Sequence, residues 1–159
     1  MPIYTDEQMR QILAQYGTTV YRLALAQLRN RSDAEDVYQE VFLKLLRYPG
    51  VFEDAEHQKA WLLRVTVNCC KDCLKKASRR EVSLTDREFS SSPAEENEVL
   101  SLALEGLPEQ QRAIIHLHYY EGYTTKEIAS ILGMNHSTVR SALRRACQKL
   151  QKFMEGVAF

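Results

Sequence analysis

The chain has 159 residues, 45% hydrophobic and 26% charged, which suits one soluble globular domain or two small ones rather than a disordered chain. No run of about 18 apolar residues occurs, so no membrane insertion is expected. The opening Met-Pro-Ile-Tyr-Thr-Asp-Glu lacks the charged and apolar regions of a signal peptide, so a cytoplasmic protein is expected. Basic and acidic residues balance at 21 each, but they are segregated. Residues 1–80 carry thirteen Lys/Arg against ten Asp/Glu, net +3; residues 81–98 carry one against six, net −5; residues 99–159 carry seven against five, net +2. Residues 64–80 hold six basic side chains against Asp72 alone, and local charge of this kind is what a phosphate senses within a Debye length.

Helical spacing begins near residue 6 and continues to about 30, through Ile12, Leu13, Tyr16, Val20, Leu23, Ala24 and Leu28. Gly17 is expected to break or bend this stretch. Ser32 and Glu35 form a capping-box pattern that opens a helix to about Arg47, and Pro49-Gly50 ends it. A long helix is expected from about 56 to 80. Residues 81–98, with Ser-Ser-Ser-Pro and Glu-Glu-Asn-Glu, cannot bury much and read as a linker. A second helical block covers 99–153, with Pro108 opening one of its helices. No repeat and no convincing strand is found. The expected fold is all-α: two small helical domains, 1–80 and 99–159, joined by an acidic flexible linker, 81–98.

On a helical wheel, Arg64, Asn68, Lys71, Asp72, Lys75 and Arg79 fall within an arc of roughly 100°. Leu62, Leu63, Val65, Val67, Cys69, Cys70, Cys73 and Leu74 fill most of the rest, and Trp61, the single tryptophan, falls on the polar arc. Lysine and arginine neutralise phosphate, Asn and Asp address base edges, and an indole stacks on an unpaired base. A solvated basic face, with Trp61 packed on a neighbouring loop, gives the same pattern.

Cys69, Cys70 and Cys73, with Cys147 far away, raise a zinc or redox reading. Cys-Cys-x-x-Cys is not a standard zinc pattern, and the wheel puts all three on the apolar arc, where reduced cysteines act as small hydrophobes. His57, His116, His118 and His136 form no ligand cluster with them in sequence, and Ile-His-Leu-His-Tyr at 115–119 reads as one face of a helix. No metal and no cofactor is expected.

Residues 124–145 form a helix-turn-helix pattern. Thr124 and Glu127 make a capping box that starts a helix at Thr125. Ile128, Ile131 and Leu132 give that helix an apolar face, and Ala129 is small where a second helix must cross. Gly133 suits a left-handed C′ position. Asn135 caps the next helix, and Val139 and Leu143 return to the core at i, i+4. Ser137, Thr138, Arg140, Ser141, Arg144 and Arg145 then point outward, hydroxyls first and arginines after, as a helix lying in a major groove requires. An ordinary helical hairpin with solvated arginines is the bland alternative.

Asp33-Ala-Glu-Asp-Val-Tyr-Gln-Glu-Val-Phe42, Ala60-Trp-Leu-Leu-Arg-Val-Thr-Val-Asn68, Leu107-Pro-Glu-Gln-Gln-Arg112 and the helix-turn-helix follow one another in that order. Together they resemble the sigma-70 family of bacterial RNA polymerase sigma factors, in particular the small extracytoplasmic-function (group IV) type. The resemblance covers nearly the whole chain. It implies that 1–80 is a region 2 domain and 99–159 a region 4 domain. It implies a core-polymerase surface at Asp33, Glu35, Asp36, Gln39 and Glu40, whose carboxylates suit arginines on a partner coiled coil. The same residues also favour a helix N-terminus without any partner. It implies minus-ten recognition and melting by Trp61, Arg64, Asn68, Lys71, Asp72, Lys75 and Arg79, where capture of a flipped base offsets the cost of unstacking. In related proteins a loop near residues 48–57 contributes to the pocket for that base. It implies minus-thirty-five recognition by Thr125, Lys126, Ser137, Thr138, Arg140, Ser141, Arg144 and Arg145. The expected partners are RNA polymerase core (the clamp helices and the flap of its beta subunits), promoter DNA and an anti-sigma factor. Ala142 and Cys147 stand where the family often has basic residues, which points to weaker phosphate contacts.

The leading expectation is a dissociable promoter-specificity subunit without catalytic residues. The alternative is a stand-alone helix-turn-helix DNA-binding regulator, which leaves the acidic helix without a purpose. A redox sensor or enzyme built on the cysteines is a third reading, and no nucleotide loop or catalytic triad supports it.

Overall fold

A capping box opens the first helix, α1 (Asp6–Leu28): the Thr5 hydroxyl accepts from the Gln8 amide and the Gln8 side chain accepts from the Thr5 amide. The structure, a computed structural model, describes residues 4–79 and 98–156. The chain divides into two compact units, Met1–Glu88 and Phe89–Phe159.

In the first unit α1 runs unbroken through Gly17, contrary to the expected break. A Cβ at Gly17 would lie 3.0 Å from the Tyr38 hydroxyl, so the glycine makes room for a ring from the next helix. Arg29 ends α1 in the left-handed conformation, φ 58°, and Asn30 immediately caps α2 (Arg31–Arg47) by accepting from the Asp33 amide at 2.9 Å. The expected cap at Ser32 is thus displaced by two residues, because the Asn30 carboxamide already occupies that role. The third helix, α3, spans Ala55–Arg79. Each of the three helices packs on the other two.

The core between them takes Tyr16, Val20, Ala24 and Leu28 from α1, Val37, Val41, Phe42 and Leu45 from α2, and Leu62, Cys69 and Cys70 from α3. Thr66 and Gln27 are the buried polar side chains here. The Thr66 hydroxyl donates to the Leu62 carbonyl at 2.6 Å, and the Gln27 amide donates to the Val67 carbonyl at 3.4 Å. Both donors thus find an acceptor, as buried donors generally do.

The second unit contains α4 (Glu98–Glu105), α5 (Glu109–Ile115), a π-turn (His116–Tyr120), α6 (Thr125–Leu132) and α7 (His136–Gly156). Pro108 stands as the N-cap of α5. The expected helical face at 115–119 is instead the junction of α5 with the π-turn, where the Glu121 amide reaches back to the His116 carbonyl at 3.1 Å. Helix α7 is the hub: α4, α5 and α6 all pack on it. Leu107, Ile115, Ala146, Leu104, Leu143 and Leu150 form one apolar cluster, and Ile114, Leu117, Ile128 and Val139 are fully buried.

Among the described residues there is no strand, and no helix is long and apolar enough to cross a membrane. Residues 81–97 of the expected linker lie outside the described residues, and Glu98 already belongs to α4.

Leu45 is fully buried, so Leu45→Ala removes most of a core side chain and leaves a cavity. The expected loss is about 2–5 kcal/mol. Urea unfolding followed by tryptophan emission reads it directly, since Trp61 sits in the same unit; an unchanged midpoint would show that the α1–α2–α3 core is packed differently.

Candidate nucleic-acid interface

Helix α3 commits one face to the core and leaves the other free. Leu62, Leu63, Val67, Cys69 and Cys70 are buried, whereas Arg64, Asn68, Asp72 and Lys75 are exposed and Lys71 is half-buried. Arg64, Asn68, Asp72 and Lys75 stand three or four positions apart, with Lys71 beside them, so they form one stripe along the helix. The Arg79 side chain lies outside what is described.

Trp61 does not stand free on the polar arc. It is half-buried, with its ring 4.9 Å from Tyr48 and 5.6 Å from Phe52, centre to centre. Tyr48 stacks on Phe52 at 5.2 Å, and His57 meets Phe52 edge-on at 5.3 Å. Four rings therefore hold the α2–α3 loop against the start of α3. The position of Trp61 on the wheel is right by angle, but the wheel omits the loop that folds over it.

Polar ties complete the loop. The His57 amide donates to the Asp54 carboxylate at 2.8 Å, and the Glu53 amide donates to His57 Nδ1 at 3.1 Å. The Tyr16 hydroxyl donates to the Ala55 carbonyl at 3.3 Å, joining α1 to the same point. A Cβ at Gly50 would come within 2.6 Å of the Tyr48 ring, so that close approach needs glycine. Beside these rings Tyr4, Gly50, Val51, Phe52, Asp54, Ala55 and Gln58 line an open concavity of about 420 Å³. Val51 at its rim is 88% exposed, although it is a large apolar side chain.

On α2, Glu35, Asp36, Gln39 and Glu40 are exposed and Asp33 is half-buried. Lys44 pairs with Glu40 at 3.6 Å across one turn. Leu43 and Leu46 are also exposed there, so acidic and apolar groups share the helix. Burial is the main cause that pushes the Cys73 thiol above its ordinary range, and the Asp33, Asp36 and Glu40 carboxylates add to it. Those three carboxylates are therefore gathered beside one point of α3. Burial, followed by Glu40, pushes Cys69 up as well. Thiols held protonated in this way are poor nucleophiles and poor ligands. With Cys69 and Cys70 buried, this agrees with the reading of the cysteines as core.

The helix-turn-helix forms as its residues require. The Glu127 amide donates to the Thr124 hydroxyl at 3.1 Å, and the Thr124 amide donates to Glu127 Oε1 at 3.0 Å. Gly133 ends α6 at φ 65°, the left-handed conformation a side chain resists. Asn135 Oδ1 accepts from the amide and hydroxyl of Ser137 at the start of α7. Ile128, Ala129 and Ile131 are buried on α6, and Val139 and Ala142 on α7. Lys126, Ser137, Thr138, Arg140, Arg144 and Arg145 are exposed, while Thr125 and Ser141 are half-buried.

Two features lie beyond the sequence reading. Thr125 Oγ1 and His136 Nε2 lie 2.8 Å apart, joining the first residues of α6 and α7. The approach to α6 is fixed by the π-turn: His118 Nδ1 lies 2.8 Å from the Tyr123 carbonyl, and Gly122 takes φ 77°. No spacing rule announces either contact; Asp54-x-x-His57 at the other unit carries at least a capping pattern.

A family model described as sigma-70 region 2 matches residues 12–80, and one described as sigma-70, region 4 matches residues 97–150. The chain is 34% identical to the ECF RNA polymerase sigma factor SigL of Mycobacterium tuberculosis, covering 90% of this chain and 86% of the relative. It is 31% identical to the ECF RNA polymerase sigma factor SigE of Mycolicibacterium smegmatis, covering 91% of this chain but 60% of that longer relative. Among solved structures it resembles the sigma factor RpoE of Bartonella quintana, solved with the anti-sigma factor NepR, at TM-score 0.78. That match is 23% identical, covers 94% of this chain and 98% of the other, and is a likeness of fold.

The capping box makes a checkable electrostatic statement. The Thr124 amide, then the Thr124 hydroxyl, hold the Glu127 carboxyl below its ordinary range. A depressed carboxyl contributes stability above its unfolded value and loses it as pH falls through the folded value. Acidification below the ordinary glutamate range is therefore expected to weaken the start of α6. In Thr124→Ala the Glu127 carboxyl should titrate part of the way back toward an ordinary glutamate, as followed by NMR; an unmoved titration would show that the hydroxyl takes no part.

Proposed function

The chain belongs to the sigma-70 family of RNA polymerase sigma factors, in its extracytoplasmic-function (ECF) branch, and we propose on that footing that it is a dissociable sigma subunit. It binds RNA polymerase core and directs initiation at particular promoters, acting as a specificity factor rather than as an enzyme. One observation carries the reading: two helical units in family order, each with one long helix whose outer face is polar and basic.

In this reading Asp33, Glu35, Asp36, Gln39 and Glu40 on α2 meet the clamp helices of core polymerase. Carboxylates there pair with partner arginines, and exposed Leu43 and Leu46 add apolar contact. Helix α3 faces the minus-ten element through Trp61, Arg64, Asn68, Lys71, Asp72, Lys75 and Arg79. Trp61, braced by Tyr48 and Phe52, offers a ring at a fixed angle, which costs less ordering on binding than a free side chain. The open concavity beside Phe52 has room for an unstacked base, with Tyr4, Asp54 and Gln58 among its polar-tipped lining residues.

Helix α7 lies in the major groove of the minus-thirty-five element. Ser137, Thr138 and Ser141 approach base edges; Arg140, Arg144 and Arg145 take bases and phosphates; Thr125 and Lys126 stand at the start of α6 toward the backbone. The acidic connector 81–98 joins the two domains near the polymerase channel. An anti-sigma partner belongs to this reading, supported by the similar fold of RpoE, which was solved with NepR, and so does a cytoplasmic site of action beside RNA polymerase.

The deciding experiment combines the chain with bacterial RNA polymerase core, transcribes a genomic promoter library and sequences the RNA starts. Specific starts preceded by a shared two-part upstream motif are expected. A chain that binds neither core nor a promoter complex, yet shifts duplex DNA alone, would instead be a free-standing helix-turn-helix regulator. Arg144→Ala is expected to weaken the holoenzyme on all promoters alike and to reduce the salt slope of binding by about one unit. Loss of selectivity at one base with an unchanged slope would reassign Arg144 from phosphate to base.

A further inference from the structure

The hydroxyls at the start of α6 divide their work. Thr124 forms the capping box with Glu127, which leaves the Thr125 hydroxyl free for a contact outside its own helix. It uses that freedom to reach His136 Nε2, 2.8 Å away and eleven residues on. His136 is the first residue of α7. Both partners are half-buried, while their immediate neighbours Lys126, Ser137 and Thr138 are exposed. The bond therefore lies directly behind the residues that reach the duplex.

We infer that His136 is a positioning residue for duplex recognition, acting through Thr125 to fix the first turn of α7 against α6. The inference rests on the reading of α6 and α7 as the minus-thirty-five reader. Burial of Ile128, Ala129 and Ile131 with Val139 and Ala142 holds the two helices together, but apolar packing has no direction. Asn135 caps α7 through Ser137, two residues away, which orders α7 and not its relation to α6. The Thr125–His136 bond supplies the missing direction: it sets how far Ser137 and Thr138 stand from Lys126. A threonine hydroxyl both donates and accepts, so the bond forms with either imidazole tautomer and with the imidazolium.

The consequence is specific. Base readout needs side chains placed to hydrogen-bond accuracy, whereas long flexible lysines and arginines follow a phosphate through small displacements. Loss of the bond should lower discrimination and leave the phosphate contribution in place.

The test uses reconstituted holoenzyme and a promoter recovered by the start-site mapping, either intact or with its minus-thirty-five bases substituted. The readout is the ratio of affinities for the two duplexes, measured across a salt series. Thr125→Val and His136→Leu are each expected to lower the ratio by about fivefold, the scale of one hydrogen bond, with the salt slope unchanged. The double variant should fall no further than either single. His136→Gln, which keeps a hydrogen-bonding partner for Thr125 in place, should hold the ratio within about twofold of the parent. Parental ratios in Thr125→Val and His136→Leu, losses that multiply in the double variant, or failure of His136→Gln to hold the ratio would overturn the inference. A parent holoenzyme with no preference for the intact duplex would instead bring down the minus-thirty-five reading itself, and this inference with it.

Discussion

A long amphipathic helix has one face to bury and one to present, and that division decides what each unit can do. On α3 the buried face is fixed by Leu62, Leu63, Val67, Cys69 and Cys70, of which Leu62, Cys69 and Cys70 join the core shared with α1 and α2. Once those five are inside, Arg64, Asn68, Asp72 and Lys75 have to be outside, because the helical repeat leaves no other place for them. On α7 the same rule acts through Val139, Ala142 and Ala146, which turn Thr138, Arg140, Arg144 and Arg145 outward. Core packing and the candidate interface are therefore one decision seen from two sides. A substitution that rotates either helix to repack its core also rotates the polar stripe away from its target.

The loop before α3 adds what a bare helix lacks. The outer face of a helix is convex, and a flipped base needs a concavity. Tyr48, Phe52, His57 and Trp61 close on one another, and the Asp54–His57 and Glu53–His57 hydrogen bonds fix the backbone that carries them. Phe52 belongs to the ring cluster and also lines the concavity, so the shape of the concavity depends on the ring contacts. Preformed in this way, the site spends little ordering entropy when it is occupied.

Most of the fold was legible because it depends on local chemistry. Periodicity found every long helix, and the Thr124–Glu127 box and Gly133 fixed the ends of α6 to the residue. Two misreadings share a cause. Gly17 looked like a breaker and Ser32 like a cap, yet each was judged without the residues that meet it in space: Tyr38 across from Gly17, and Asn30 already accepting from Asp33. For Trp61 the wheel left two surroundings open, since it contains a helix and not the loop whose Tyr48 and Phe52 meet the indole. The Thr125–His136 bond was invisible because it joins two helix starts through ordinary residues with no motif of their own.

Ala142 and Cys147 show how structure changes the meaning of a sequence departure. By comparison with related sequences they looked like cations missing from the DNA-facing surface. Ala142 is 7% exposed, on the inner side of α7, and Cys147 is half-buried with the Tyr119 hydroxyl 3.6 Å from its sulfur. Ala142 is therefore no gap in the exposed face, whereas Cys147 follows Arg140 and Arg144 at i, i+4, i+7 spacing and continues their line with a thiol; Arg145, Lys149 and Lys152 form a second exposed line. A long basic side chain at 142 would have to leave the core edge and run along the helix to reach a phosphate, ordering several rotatable bonds on the way. The small residue there lets α7 sit close to its neighbours instead. The electrostatic reach of this unit is thus set by its outward cations, and its geometry by small residues such as Ala129, Ala142 and Ala146 that let the helices approach.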